Sequence, residues 1–319
     1  MRVPDKLLRS VVFVGAKRGE GFNIGGTGLF VGIPSEAAPD RSWIYLVTAK
    51  HNIIRARERG TVYVRANTPD EKGAMLEADE GWIFSTNPAS DVAVLPIDVP
   101  DGVIPVTIPI QLFATDAMIT RYGIGLGDDL TIIGLFKKRE GRDRNLPIVR
   151  SGNIAAMPSD PLYDPNTALT YHAYLAEVRS IGGLSGSPVF VSIKGPELLP
   201  SGESVRVGAV RFILLGLIRG HWTKAEYEAG DFFESEVESF NTGIAIVSPI
   251  ADVLEILESE ALVKEREKDE RDLRNAGAPI EDSALGDDSD ESEFERFERL
   301  ARRMVQVPKA ELDEKRNES

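Results

Sequence analysis

No cysteine occurs anywhere in the 319 residues, so the chain forms no disulfide and offers no thiolate to a metal or to nucleophilic chemistry. Histidine is scarce: His51, His172 and His221 are the only three, and they are far apart. With no cysteine beside them, they make no metal-ligand pattern, and no metal or cofactor is expected. No apolar run approaches the roughly 20 residues of a membrane span. The first twenty residues lack the apolar stretch and small-residue cleavage site of a secretory leader, so the expected location is the cytoplasm, with no membrane partner. Clustered lysine and arginine are also missing. The net charge is −14, and nucleic acid is not an expected partner.

The charge is unevenly spread. From residue 251 onward there are 22 acidic and 12 basic residues, a balance of −10 that leaves −4 for the first 250. Up to about Val247 the pattern is β: short runs rich in Val, Ile and aromatics between Gly, Pro, Asn and Asp turns. Six runs, "SVVFVG", "TGLFVGI", "WIYLVTA", "TVYVRAN", "AMLEAD" and "DVAVLPI", precede a long connector. Six more follow: "LTIIGLF", "IVRSGNIAAM", "YHAYLAEV", "PVFVSI", "VGAVRFILLGLI" and "GIAIV". Six and six predict two small barrels, which remove open sheet edges by closing. The expected units are a barrel over 1–115, a second over 116–248, a helix over 249–274 and an acidic tail over 275–319. Ile250, Val253, Leu254 and Leu257 share one helix face. The continuation "KEREKDERDLR" is charged throughout and reads as solvated. Beyond it lie a flexible acidic linker and a short amphipathic segment carrying Phe294, Phe297, Leu300, Ala301 and Met304, a candidate docking element for a protein partner.

"SIGGLSGSPVF", Ser180 to Phe190, is too rich in glycine for a helix. It is either a plain turn or a loop that aims backbone N–H groups at one point beside a serine. A serine hydroxyl becomes a nucleophile only with a base in reach and a third group to orient that base. His51 stands at the end of an apolar run in "WIYLVTAKHNI"; His172 reads as mid-strand; His221 follows a strand in "GLIRGHW". Between His51 and Ser185, Asp91 directly heads an apolar strand run, in "SDVAVLPI". The glycines of "YGIGLGDD" (Gly123, Gly125, Gly127) have no strand before them and no helix after, which excludes a nucleotide loop.

The order His, Asp, Ser, carried by "VTAKH", "SDVAVL" and "GLSGSP" with "GTGLFVG" before them, resembles the trypsin-like (chymotrypsin-fold) serine peptidases. The likeness covers about residues 9–258. It is nearest to bacterial disulfide-free members, the high-temperature-requirement proteases and the glutamyl endopeptidases. It implies an all-β fold of two six-stranded Greek-key barrels, followed here by the C-terminal helix and flexible acidic tail. It also implies a cofactor-independent endopeptidase acting on protein or peptide. Ser185 would attack the scissile carbonyl, His51 would shuttle the proton and Asp91 would orient the imidazole. The N–H groups of Gly183 and Ser185 would form the oxyanion hole. Arg179 matches the floor of the substrate pocket, and Arg219 and His221 lie near its wall, which would favour an acidic side chain before the cut. Two positions depart from the pattern. Leu184 stands where secreted members carry an aspartate, so no activation by N-terminal cleavage is expected. Lys50 stands beside His51, where a small residue is usual. A reading of another class stays open: a catalytically silent trypsin-like domain that binds or scaffolds.

Overall fold

The computed structural model describes residues 2–275 except 20, 69–71, 100–102, 104, 137–140, 142–143, 165–166, 179–183, 195–196, 199–204, 207–209 and 224–240. The acidic linker and the segment around Phe294 therefore lie outside the described residues.

A short helix, α1 (Asp5–Arg9), leads into β1 (Val11–Arg18), β2 (Gly21–Pro34) and β3 (Ser42–Ala49). Helix α2 (Lys50–Arg57) follows, then β4 (Thr61–Asn67), β5 (Gly73–Glu77), β6 (Ile83–Phe84), β7 (Val92–Pro96) and β8 (Ile108–Pro109). These strands form one sheet in the order β5-β4-β1-β2-β3-β7-β6, with β8 parallel to β2. The six strands read from the sequence are all present. The two additions, β6 and β8, are two residues long and too brief to leave a pattern.

Strand β1 shows why this half holds together. Val11 and Phe13 point into one core, and Val12 and Val14 into another, by the period of two. The second core is the half's own interior, closed by Ile53 and Ala56 of α2. The first core is shared with the other half, where Leu130, Phe190, Leu214 and Ile250 join Phe13, Leu29 and Val47. Full burial of one such side chain contributes about 1.5–3 kcal/mol, so the seam between the halves is a packed interior rather than a wet contact.

The connector carries a helix that its sequence did not betray, α3 (Asp116–Tyr122). Thr115 Oγ1 accepts from Met118 N at its start, and Gly123, in the left-handed region, ends it. Then come β9 (Asp129–Leu135), β10 (Pro147–Ala156), a hairpin of β11 (Leu162–Asp164) and β12 (Leu169–Tyr171), and β13 (Tyr174–Glu177). The remaining strands are β14 (Pro188–Lys194), β15 (Glu197–Leu198), β16 (Val205–Arg206), β17 (Val210–Thr223) and β18 (Asn241–Pro249). Six of them close a barrel in the order β10-β13-β18-β17-β14-β9, and β15 and β16 pair beside it. The fold is thus all-β, in two β halves followed by helix.

Helix α4 (Ile250–Leu257) buries Ile250, Val253 and Leu257 as the spacing predicts, but Ile256 completes the buried face and Leu254 is only half-buried at its edge. Helix α5 (Glu260–Asn275) is solvated over most of "KEREKDERDLR", as expected, but Arg266, Asp269 and Glu270 dock it, which the sequence did not show. Glu270 accepts hydrogen bonds from Glu36 N and Ala37 N, both 2.8 Å. Trp43 Nε1 donates to Asp269 at 3.1 Å, and Arg266 donates to Tyr45 Oη at 2.9 Å. The charged helix is strapped to the β2–β3 turn across more than 220 residues of sequence. Desolvation raises the Glu270 carboxyl, but hydrogen bonds from Ser35, Glu36 and Ala37, together with the Arg274 charge, outweigh it and hold the group below its ordinary value. No helix among the described residues is long and apolar enough to cross a membrane.

Candidate active site

His51 is the second residue of α2, not the end of a strand as the sequence suggested; β3 stops at Ala49 and the chain turns directly into helix. A helix start leaves N–H groups without partners, and no side chain of its own caps this one. Asp91 does so from across the sheet. Its carbonyl accepts from Lys50 N at 3.1 Å, and its carboxylate Oδ1 accepts from His51 N at 2.9 Å. A carboxylate at a helix N-terminus is also favoured by the helix dipole. The other oxygen, Oδ2, lies 2.7 Å from His51 Nδ1. The carboxylate accepts, so Nδ1 carries the proton and Nε2 keeps the lone pair that a general base uses. Side-chain exposure is 24% for His51 and 11% for Asp91, so the pair is sheltered with the ring still reachable.

Ser185 sits in a turn between β13 and β14 that docks on the same helix. Its carbonyl accepts from Asn52 Nδ2 and from Thr27 N, both at 2.9 Å. Asn52 is in turn set by Thr48 Oγ1, which donates to Thr27 O at 2.7 Å. The "GTG" of β2 now has a reason. A Cβ on Gly26 would stand 2.2 Å from Asn52 Nδ2, so only glycine lets the amide through. Gly186 has φ +82°, and a Cβ there would lie 2.1 Å from Thr27 O. Both the conformation and the close approach demand glycine.

Among the described residues no hydrogen bond joins the Ser185 hydroxyl to His51. Gly183 and Arg179, expected as an oxyanion donor and the pocket floor, lie outside the described residues. Leu184 is 2% exposed and fills a hole opposite Gly134, where a Cβ would come within 2.4 Å of Leu184 Cδ2. Leu184 is thus an apolar anchor of the serine turn. Ser187 Oγ is buried in the same place, with no hydrogen-bond partner among the described residues.

The remaining candidates part company. His172 is in the link between β12 and β13 rather than mid-strand; it is exposed, and Nδ1 lies 2.8 Å from Pro158 O. His221 lies within β17, opposite Ala245 of β18, and is half-buried. The Arg219 guanidinium is engaged: it donates to Ala89 O at 2.7 Å, stacks 3.8 Å from the Tyr171 ring centre and pairs with Asp164 at 3.5 Å. Lys50 does not point idly to solvent. Its ammonium donates to Pro88 O at 3.2 Å and Ser90 O at 3.3 Å, in the loop that carries Asp91.

Sequence reasoning missed Asn52, Thr27 and Thr48 as supports of the serine turn. The one local signal for them was the glycine run before Thr27, which marks a close approach to the strand.

Fold and site together define an all-β protein of two halves, with an acid–histidine pair capping one helix and a glycine-bounded serine turn docked beside it. No protein-family model and no curated protein matches the chain. Among solved structures it is similar to Rv3671c from M. tuberculosis H37Rv in an inactive form, at 17% identity over 79% of this chain and 88% of that one, with a TM-score of 0.44. It is similar to Deg5 at 16% identity over 78% and 88%, TM-score 0.43. It is similar to HBP at 10% identity over 82% and 95%, TM-score 0.44. Likeness at this level assigns no chemistry, which rests on the chain's own residues.

Proposed function

We propose that the protein is a serine endopeptidase, with Ser185 as nucleophile, His51 as general base and then acid, and Asp91 as the group that orients the imidazole. The observation that carries this reading is the double grip of Asp91 on His51, at the backbone N–H and at Nδ1, beside a serine turn docked on the next residue, Asn52. In the first half-reaction His51 Nε2 takes the hydroxyl proton as Ser185 Oγ bonds to the scissile carbonyl carbon. The tetrahedral adduct collapses, the C–N bond breaks and the amine leaves with that proton. Water then repeats the sequence on the acyl-enzyme and releases the acid.

An extended peptide is the substrate that suits the surroundings. β14 pairs with β17 as far as Leu217, and Ile218 bonds to Ser187 and Gly186. Past that point, among the described residues, β17 has a strand partner only on its β18 side. A Cβ on Gly220 would meet nothing within 4 Å. A peptide backbone laid along that edge would bring its carbonyl to Ser185 by strand addition.

A second reading has one observation in its favour: the hydroxyl of Ser185 makes no hydrogen bond to His51. On that reading the fold binds peptide without cutting it. Incubating the full chain with an unstructured protein such as casein separates the two. The peptidase reading predicts fragments from the wild type and none from Ser185→Ala; intact casein in both would support the silent module.

A further inference from the structure

The turn that delivers Asp91 is held by three elements distant in sequence. Lys50 takes Pro88 O and Ser90 O, Arg219 takes Ala89 O, and Lys50 N takes Asp91 O. Every carbonyl from Pro88 to Asp91 therefore has a donor. Within the turn, Ser90 N donates to Asn87 O and Ala89 N to Asn87 Oδ1. The third element is α4. Ser90, 4% exposed, donates its hydroxyl to Asp252 Oδ2 at 2.7 Å, and Thr86 Oγ1 donates to Glu255 at 3.3 Å.

We propose that Asp252 is a positioning residue for the His51–Asp91 pair: it holds Ser90, and through Ser90 the backbone from which Asp91 reaches the backbone N–H and Nδ1 of His51. The inference rests on the triad reading above. An aspartate is a costly residue on this face of α4, whose neighbours Ile250, Val253 and Ile256 enter the apolar core. Burial raises the Asp252 carboxyl, Ser90 and then Arg219 and His172 lower it, and Glu255 raises it. Those are the polar and charged groups that face it. An apolar residue would avoid that desolvation. What the carboxylate supplies instead is a charge-assisted acceptor for a buried hydroxyl one residue before the acid, where a shift of 1 Å is felt at the reacting atoms.

The test uses the full chain and two readouts. One is turnover of a peptide substrate, resolved into kcat and KM. The other is the downfield proton NMR resonance of His51 Nδ1–H in the resting protein, which reports the bond to Asp91 without any substrate. Ser90→Ala and Asp252→Leu lower kcat about ten-fold with KM nearly unchanged, and they broaden the resonance or move it upfield. Asp252→Asn, whose amide oxygen still accepts from Ser90, recovers most of both signals, as does Ser90→Thr. A resonance and kcat at wild-type values in Asp252→Leu would overturn the proposal. So would an Asp252→Asn protein as impaired as Asp252→Leu, since the hydrogen bond would then be irrelevant. If Ser90→Ala does not fold, the Asn and Leu variants of Asp252 decide alone. A wild type that hydrolyses nothing would sink the triad reading, while the resonance would still show whether Asp252 holds the pair.

Discussion

The two sides of the candidate site are built differently. On the His51 side the contacts are in place: Asp91 caps α2 and grips the imidazole, Lys50 N holds its carbonyl, and Arg219 and Asp252 hold the preceding Ala89 and Ser90. On the Ser185 side the backbone is fixed through Asn52 and Thr27, but the hydroxyl has no bond to the histidine. The His51–Asp91 pair is a property of one half, a helix start and the residue that leads into the strand paired with β3. Ser185, the proposed nucleophile, is brought to it from the other half by a docked turn. On the proposed reading the imidazole is oriented at rest, and what remains is a rotation or small shift at the serine.

That contrast sets the scale of what breaks it. Ser185→Ala and His51→Ala each lower kcat by about 10⁶-fold, and the double variant is little worse than either, because triad members act as a unit. Additive losses would mean that the two residues do not act together. Asp91→Asn lowers kcat by about 10⁴-fold by presenting an N–H to the ring and favouring the wrong tautomer. A smaller loss would show that the helix cap, not the acid, is its main task.

On the serine side, Asn52→Ala removes one of the two donors to the Ser185 carbonyl, Thr27 N remaining, and costs about 0.5–1.5 kcal/mol. Thermal melting gives that figure, and kcat falls about 10²-fold as the turn drifts. If Asn52→Ala melted as the wild type and cut as fast, the docked-turn description would be wrong.

The smallest effect is at the strap. Glu270→Gln weakens the hold on Glu36 N and Ala37 N by about 1 kcal/mol. The Glu270 carboxyl is held below its ordinary value. Its contribution is therefore fully present above the unfolded value and fades as the pH falls through the folded one. Denaturant melts at neutral and at acid pH check the sign: the gap between wild type and Glu270→Gln closes on acidification. A gap that widened would contradict it.

Much of this was legible in the chain. Period-two runs announce the six strands of each half because both faces of each sheet are buried or alternate cleanly. His51, Asp91 and Ser185 stand out because each sits at the edge of a regular run: His51 after one, Asp91 and Ser185 just before one. What was illegible has a common cause. Asn52 meets Ser185 across 133 positions, Ser90 meets Asp252 across 162, and Ala37 meets Glu270 across 233. No local pattern marks either partner, since each is an ordinary polar residue until the fold pairs it. Helix α2 was hidden for the same reason: its cap is Asp91, 40 residues away, rather than a residue beside it. The run "KEREKDERDLR" reads as solvated because the signal for its docking lies in the β2–β3 turn.

The central claim is that His51 activates Ser185. A fluorophosphonate probe reacts with an activated serine and spares an ordinary one. Treated with it, the full chain takes up one equivalent, mass spectrometry of the digest places the adduct on Ser185, and His51→Ala takes up none. A wild type that remains unlabelled, or a His51→Ala protein labelled as fast as the wild type, would contradict the account.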